Sequence, residues 1–248
     1  MIKRVLIYSF LIFLFSSCKK ENEFDCFKSN GQETSEIRYL DVFTKVEMND
    51  EIEVSITQGA EFKIEVIAGK HIIKNISTKV EERVLKIKNN NKCNFVRGYK
   101  KQVKVNIVLP FLYSVLNNGV GHLTIDGNFA QDSIRVRAES SGDIHLSGTY
   151  SYIQALSNGN GDMYISGRCA GLDVYMKGTN FLKAEDLFVT DYISILTQSI
   201  GDCFINAQNL KKLEYTIYEE GNIYYTGEPL SIIGTLDPDS KGKVIKED

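Results

Sequence analysis

Asp143 and His145 stand close together in the phrase SGDIHLSG (141–148), and a carboxylate beside an imidazole can move protons or hold a cation. Asp162 and Asp202 occupy the same place after a glycine, in NGDMYISG (160–167) and IGDCFINA (200–207). Asn222 and His122 stand in matching positions. One reading of this series is a calcium ladder, because stacked carboxylates and carbonyls suit a hard cation. The other is turn chemistry, since Asp and Asn side chains bond the local backbone. Nine-residue Gly/Asp calcium repeats carry their ligands far more densely, and Phe181 interrupts the series between Asp162 and Asp202. The turn reading therefore prevails; Asp143, Asp162 and Asp202 are weak calcium candidates and no metal is assigned. Zinc has little support, because the only imidazoles are His71, His122 and His145 and no two cysteines form a CxxC pair.

Catalysis is the next chemistry to weigh. Arg135 and Arg137 alternate with apolar residues, Glu139 follows, and Asp143 lies in the next turn. Polysaccharide lyases and hydrolases place such clusters on one face of a β-helix. Nothing in the spacing sets the carboxylate separation that glycoside hydrolysis needs, and three scattered histidines do not make a Ser/His/Asp triad. Solvated strand charge accounts for these residues, so no catalytic residue and no cofactor is assigned.

The elements that position these side chains come from a repeat. Aligning turn glycines gives VGHLTIDG, SGDIHLSG, NGDMYISG, TNFLKAED, IGDCFINA and EGNIYYTG, with Gly121, Gly142, Gly161, Asn180, Gly201 and Gly221 in one column at steps of 21, 19, 19, 21 and 20. Asn tolerates left-handed backbone, so Asn180 fits a column that wants it. A second alternating run precedes each phrase; Ile134, Val136 and Ala138 share one face, as do Leu213, Tyr215 and Ile217. Each unit is thus strand, glycine turn, strand and loop. Antiparallel hairpins would not force identical columns, whereas a solenoid stacks every position on itself.

The sequence therefore predicts an all-β chain, a parallel β-helix or β-solenoid with coils of about 20 residues. Its inward columns are Leu123/Ile144/Met163/Leu182/Cys203/Ile223 and Ile125/Leu146/Ile165/Ala184/Ile205/Tyr225. Cys203 is then a buried thiol. The outward column is Thr124, His145, Tyr164, Lys183, Phe204 and Tyr224, of which His145, Tyr164, Phe204 and Tyr224 form a candidate binding face. Its bland counterpart is that aromatics make good strands. The alternating runs between residues 36 and 110 read as irregular opening coils, or as paired strands that cap an otherwise open end.

These residues resemble a known family. The runs VEMNDEIEVSITQG and EFKIEVIAGK, the stretch NNNKCNFVRGYKKQVKVNIVLP, the SGD-type turns and the closing GNIYYTGEP are similar to the bacterial auto-transporter adhesins with a head GIN domain, common among exported proteins of the Bacteroidota. The similarity covers residues 36–248. It implies a parallel β-helix-like fold on the cell envelope and brings no catalytic residues. Asn180-Phe181 departs from the glycine turn and puts the register of that coil in question.

Ahead of the repeat, Lys3 and Arg4 precede an apolar run of 11 residues from Val5 to Phe15, interrupted by Ser9 and followed by Ser16-Ser17-Cys18. Such a run is too short to span a bilayer, which takes about 20 residues. The pattern reads as a signal peptide over residues 1–17 and resembles that of a bacterial lipoprotein, with Cys18 as the acylated residue. Residues 18–35 follow as anchor and tether, and residues 36–248 as the solenoid. Removing Lys3 and Arg4 from 29 basic side chains leaves 27 against 32 acidic ones, a net charge of −5 that excludes phosphate-backbone binding and hence a nucleic-acid partner. Cys26 and Cys93 are a candidate disulfide, worth about 4 kcal/mol in the chain-entropy model, with pairing to Cys169 or free thiols as alternatives.

The expected function is a lipid-anchored, non-enzymatic envelope protein, an adhesin-like module that recognises a glycan or another envelope protein. Its membrane partner is reached through the lipid anchor. Lys19 and Lys20, where an acidic residue would retain a lipoprotein in the inner membrane, point to the outer membrane. A carbohydrate-active enzyme on the same fold is the alternative, and a structural spacer the third.

Overall fold

The computed structural model describes residues 29–92 and 103–248. The signal segment, Cys18, Cys26 and Cys93 lie outside the described residues. From Leu123 onward the chain is a β-solenoid. Leu123 pairs in parallel with Ile144, and the same ladder continues through Met163, Leu182, Cys203, Ile223 and Val244, at steps of 21, 19, 19, 21, 20 and 21 residues. A second ladder carries the preceding runs: Ile134, Ile153, Leu172, Ile193, Leu213 and Ile232. Side chains alternate along each strand, so both inward columns are buried from Leu123 and Ile125 through Ile223, and Tyr225 packs partly buried against them. Among the described residues the one helical element is a 3-10 turn, Ile73–Asn75, and no helix is long and apolar enough to cross a membrane.

The loop expected after each phrase is absent from three coils. Leu123–Ala138, Ile144–Ser157 and Met163–Gly178 are continuous strands that bend from the first ladder into the second. Gly167, at one of these corners, has φ +103°, a left-handed conformation that a side chain would resist. Loops do open in later coils, between Ala184 and Leu187 and between Asn206 and Lys212.

The glycine column is real, but its cause differs from the sequence reading. Gly121, Gly142, Gly161, Gly201 and Gly221 are not among the left-handed residues. What they share is crowding: a Cβ on Gly161 would lie 2.3 Å from the carbonyl oxygen of Gly142, and one on Gly201 2.1 Å from that of Asn180. Asn180 holds the column in register without a left-handed backbone. Its coil puts the left-handed residue at Gly178 (φ +116°), and the buried Asn180 Nδ2 donates to the carbonyls of Gly159 and Lys177 at 2.7 and 2.8 Å. The register that Asn180-Phe181 put in question is kept: Leu182 pairs with Met163 on one side and Cys203 on the other.

The N-terminal part supplies both irregular coils and paired strands. Ile52–Gln58 inserts in parallel between Val103–Leu109 and the start of Leu123–Ala138. Lys45–Asp50 does the same between Val84–Asn89 and Ser114–Gly119. Beyond them the pairing turns antiparallel. Lys63–Gly69 lies on Val103–Leu109, Glu33–Arg38 lies on Lys63–Gly69, and Ile76–Glu81 forms a hairpin with Val84–Asn89 across Glu82 and Arg83. Glu33–Arg38 thus joins the fold three residues ahead of the boundary expected at residue 36. Antiparallel closure ends the stack, because a further parallel coil finds no matching edge there.

Candidate functional site

Parallel stacking puts identical columns in contact, and the outward column becomes a ladder of rings. Ser55, Thr124, His145, Tyr164, Lys183, Phe204, Tyr224 and Ile245 pair in succession. The rings of His145 and Tyr164 stack at 4.4 Å and 3°. Those of Phe204 and Tyr224 stack at 5.0 Å and 9°. Lys183 separates the two pairs and places its Nζ 5.8 Å from the Tyr164 ring, within cation–π range. His145, Tyr164, Phe204 and Tyr224 are each half-buried, with faces packed on neighbours and edges toward solvent.

Beside the His145–Tyr164 half lies an open groove of about 590 Å³. Thr124, Ser147 and Ser166 give it hydroxyls, Asp126, Glu185 and Asp186 carboxylates, and Lys183 a cation. The Tyr164 phenol is held above its ordinary range, first by burial and then by the charges of Asp162 and Asp143. Sequence reasoning identified the rings but not this wall. Glu185 and Asp186 sit in a loop whose place beside the strands is set by the wrapping of the chain.

The post-glycine aspartates form a second ladder. Asp143 Oδ1 accepts the backbone N–H of Asp162 at 2.9 Å, and Asp162 Oδ1 that of Phe181 at 2.9 Å. Asp202 Oδ1 accepts from the backbone N and Nδ2 of Asn222, and Asn222 Oδ1 accepts from Lys243 N. Each side chain thus satisfies a turn amide of the following coil, where the strand ladder has not yet begun. Asp143 and Asp162 lie on adjacent coils, while Asp202 lies beyond the Phe181 turn.

At the head of this ladder the fold assembles a set that the sequence reading did not find. His122 Nδ1 lies 3.4 Å from Asp143 Oδ2, and the ligating atoms of His122, Asp143 and His145 all fall within 4.8 Å of one another. The His122 and His145 rings meet edge-on at 6.5 Å. His71 is elsewhere, its Nδ1 2.9 Å from the carbonyl oxygen of Ser29. The signal was present in the aligned phrases: His122 and Asp143 share a column one coil apart, and His145 follows Asp143 by two.

The basic cluster is dispersed among local partners. Arg135 Nε donates to Gln154 Oε1 at 2.5 Å, and Arg137 pairs with Glu139, which also accepts from Asn158 Nδ2. Asp143 is committed to Asp162 N and faces His122, so the four charged residues do not converge on one point. Cys169 and Cys203 are buried free thiols pushed up to about 12, chiefly by burial. Cys203 occupies the inward column as expected, with its Sγ 3.3 Å from Met176 Sδ.

A family model described as "Putative auto-transporter adhesin, head GIN domain" matches residues 42–229. Among solved structures, a "putative adhesin" from Bacteroides fragilis NCTC 9343 is similar with a TM-score of 0.77 at 21% identity, over 87% of this chain and 97% of that one. A "putative lipid binding protein" from Parabacteroides distasonis ATCC 8503 gives 0.65 at 15% identity, over 89% and 98%. A "putative adhesin" from Parabacteroides merdae ATCC 43184 gives 0.62 at 16% identity, over 89% and 98%. These likenesses show the fold. No curated protein matches the chain.

Proposed function

We propose, from the premise that this chain belongs to the auto-transporter adhesin head GIN domain family, that it is a non-enzymatic envelope protein which binds glycans along its outward ring column. The observation that carries this reading is the column itself: His145 stacked on Tyr164 and Phe204 stacked on Tyr224, with Lys183 between them and a groove alongside. Sugar rings present C–H faces and peripheral hydroxyls. The solvent-facing ring edges and the Lys183 stem offer apolar contact to the first, and the hydroxyls and carboxylates of Thr124, Ser147, Ser166, Glu185 and Asp186 match the second. The protein reaches its membrane through a lipid anchor at Cys18, on the strength of the N-terminal pattern, and Lys19 and Lys20 support an outer-membrane location.

The test is a glycan array probed with the full chain in detergent. Wild type should bind a restricted set of glycans, and Tyr164→Ala combined with Tyr224→Ala should weaken that binding at least about tenfold, since a buried aromatic contact is worth on the order of 1 kcal/mol or more beyond its area. Absence of binding by wild type, or binding that the double variant leaves untouched, overturns the reading.

A further inference from the structure

We propose that His122, Asp143 and His145 form a binding site for a divalent transition metal of the zinc type. The proposal does not rest on glycan recognition. Zinc bound by imidazole nitrogen and carboxylate oxygen takes bonds of about 2.0–2.2 Å, which sets neighbouring ligand atoms roughly 3.4 Å apart in a tetrahedron. The His122 Nδ1 to Asp143 Oδ2 edge is already 3.4 Å, and no pair in the set exceeds 4.8 Å. Closing the looser edges takes at most about 1.4 Å of movement, and His122, whose side chain is 54% exposed, has room to turn.

The other two ligands are held in place, as metal ligands need to be. Asp143 Oδ1 accepts the Asp162 amide, which orients the carboxylate and leaves Oδ2 to face His122. His145 is fixed in plane by the Tyr164 ring. Two neutral imidazoles and one carboxylate suit zinc, copper or nickel, whereas calcium and magnesium favour oxygen ligands alone. The surrounding charge favours a cation as well: Asp162, whose backbone amide Asp143 accepts, brings a second carboxylate one coil away. Three protein ligands leave a fourth position for water or for a donor from outside. His145 also lines the groove, so a bound ion would place a Lewis acid at its end.

Titrating the full chain in detergent with zinc chloride by calorimetry, and with cobalt chloride by visible absorption, tests this. We expect saturable binding of one ion per chain and a cobalt spectrum of low-coordinate intensity. His122→Gln, His145→Phe and Asp143→Asn should each weaken zinc binding by about 100-fold, at or beyond the upper end of what loss of a supporting group costs. His145→Phe keeps the stack on Tyr164, and Asp143→Asn keeps an Oδ1 acceptor for the Asp162 amide, so both should unfold at the wild-type urea midpoint without metal. Lack of saturable binding overturns the proposal. So does binding that persists in His122→Gln and His145→Phe, because the ion would then sit elsewhere. A chain that takes zinc but no glycan keeps this site and loses the glycan reading; the reverse result does the opposite.

Discussion

Gly161→Ala probes what holds the coils together. A methyl at this position would sit 2.3 Å from the Gly142 carbonyl oxygen, 2.8 Å from its carbonyl carbon and 3.1 Å from the Ser141 carbonyl carbon. All three are backbone atoms of the preceding coil and cannot swing away. Ordinary contact begins near 3.4 Å, so the two coils must part locally by about 1 Å. That movement stretches Gly161 N to Ser140 O (3.1 Å), Asp162 N to Asp143 Oδ1 (2.9 Å) and Ile144 N to Asp162 O (3.0 Å). Overpacking costs about 1–3 kcal/mol and each weakened hydrogen bond up to about 1. Against this, alanine lowers unfolded-state entropy and returns about 0.4–1 kcal/mol. The net loss is about 2–4 kcal/mol, which at a urea slope of about 2 kcal/mol per M lowers the midpoint by roughly 1–2 M. Circular dichroism during urea unfolding reads it. Gly161→Asn separates crowding from backbone conformation. If the column needed left-handed residues, Asn would be the milder change; under crowding it costs at least as much as Ala. A midpoint for Gly161→Ala equal to or above wild type would refute the steric account.

Asp162→Ala leaves the Phe181 amide without its acceptor and should cost about 1–2 kcal/mol, whereas Asp162→Asn keeps an oxygen there and should cost less than about 1, both read from urea midpoints. Added calcium should leave the wild-type midpoint unchanged, because one oxygen of each post-glycine aspartate is already spent on a turn amide; an upward shift would restore the calcium ladder. Burial pushes the Cys169 and Cys203 thiols up to about 12, so the folded chain keeps two protons that the unfolded chain sheds above its ordinary thiol range near 8.5. With fewer protons bound in the unfolded state, stability falls as pH rises from about 8.5 toward 12, by roughly 2 kcal/mol per thiol at pH 10. Urea unfolding at pH 7 to 10 should show that decline, and Cys169→Ala with Cys203→Ala should flatten it.

The register of this fold was legible because a solenoid writes the same geometric demand in every coil. Six aligned phrases were enough to place Leu123, Ile144, Met163, Leu182, Cys203 and Ile223 in one buried column, and the parallel pairing follows that alignment residue by residue. What the alignment did not supply was the reason for the glycines, since an intercoil carbonyl oxygen 2.3 Å from where a Cβ would stand leaves the same mark in a sequence as a left-handed turn. The opening coils escaped a simple reading because Ile52–Gln58 pairs with Val103–Leu109 and Leu123–Ala138, both far along the chain. In the outward column the ring stack was readable once the columns were drawn. The groove wall was not drawn, although Glu185 stands in the same column of the aligned phrases as Asp126, Ser147 and Ser166, two positions beyond the rings. His122 was visible as Asp143's column mate, yet counting histidines along the chain hid that it also lies diagonally across from His145.

Three kinds of column share each coil, and they differ in what they permit. Inward positions must be apolar to fill a core that runs the length of the stack. The turn column must be glycine or a residue that reshapes the turn, as Gly178 with Asn180 does, and the next position is drawn toward Asp or Asn because a side-chain oxygen there satisfies the following coil's amide. The inward and turn positions leave little room for side-chain chemistry to vary, and the post-glycine position departs from Asp or Asn at His122 and Phe181. The outward column is free of both demands, and there the sequence changes character at every step, from His145 to Tyr164, Lys183, Phe204 and Tyr224. The proposed glycan face therefore lies in that column, and the proposed metal site in the one place where it meets the turn column at close range. At that place Asp143 keeps its structural duty with one oxygen and has the other facing His122, so the proposed metal site draws on a carboxylate that the stacking of the coils already orients.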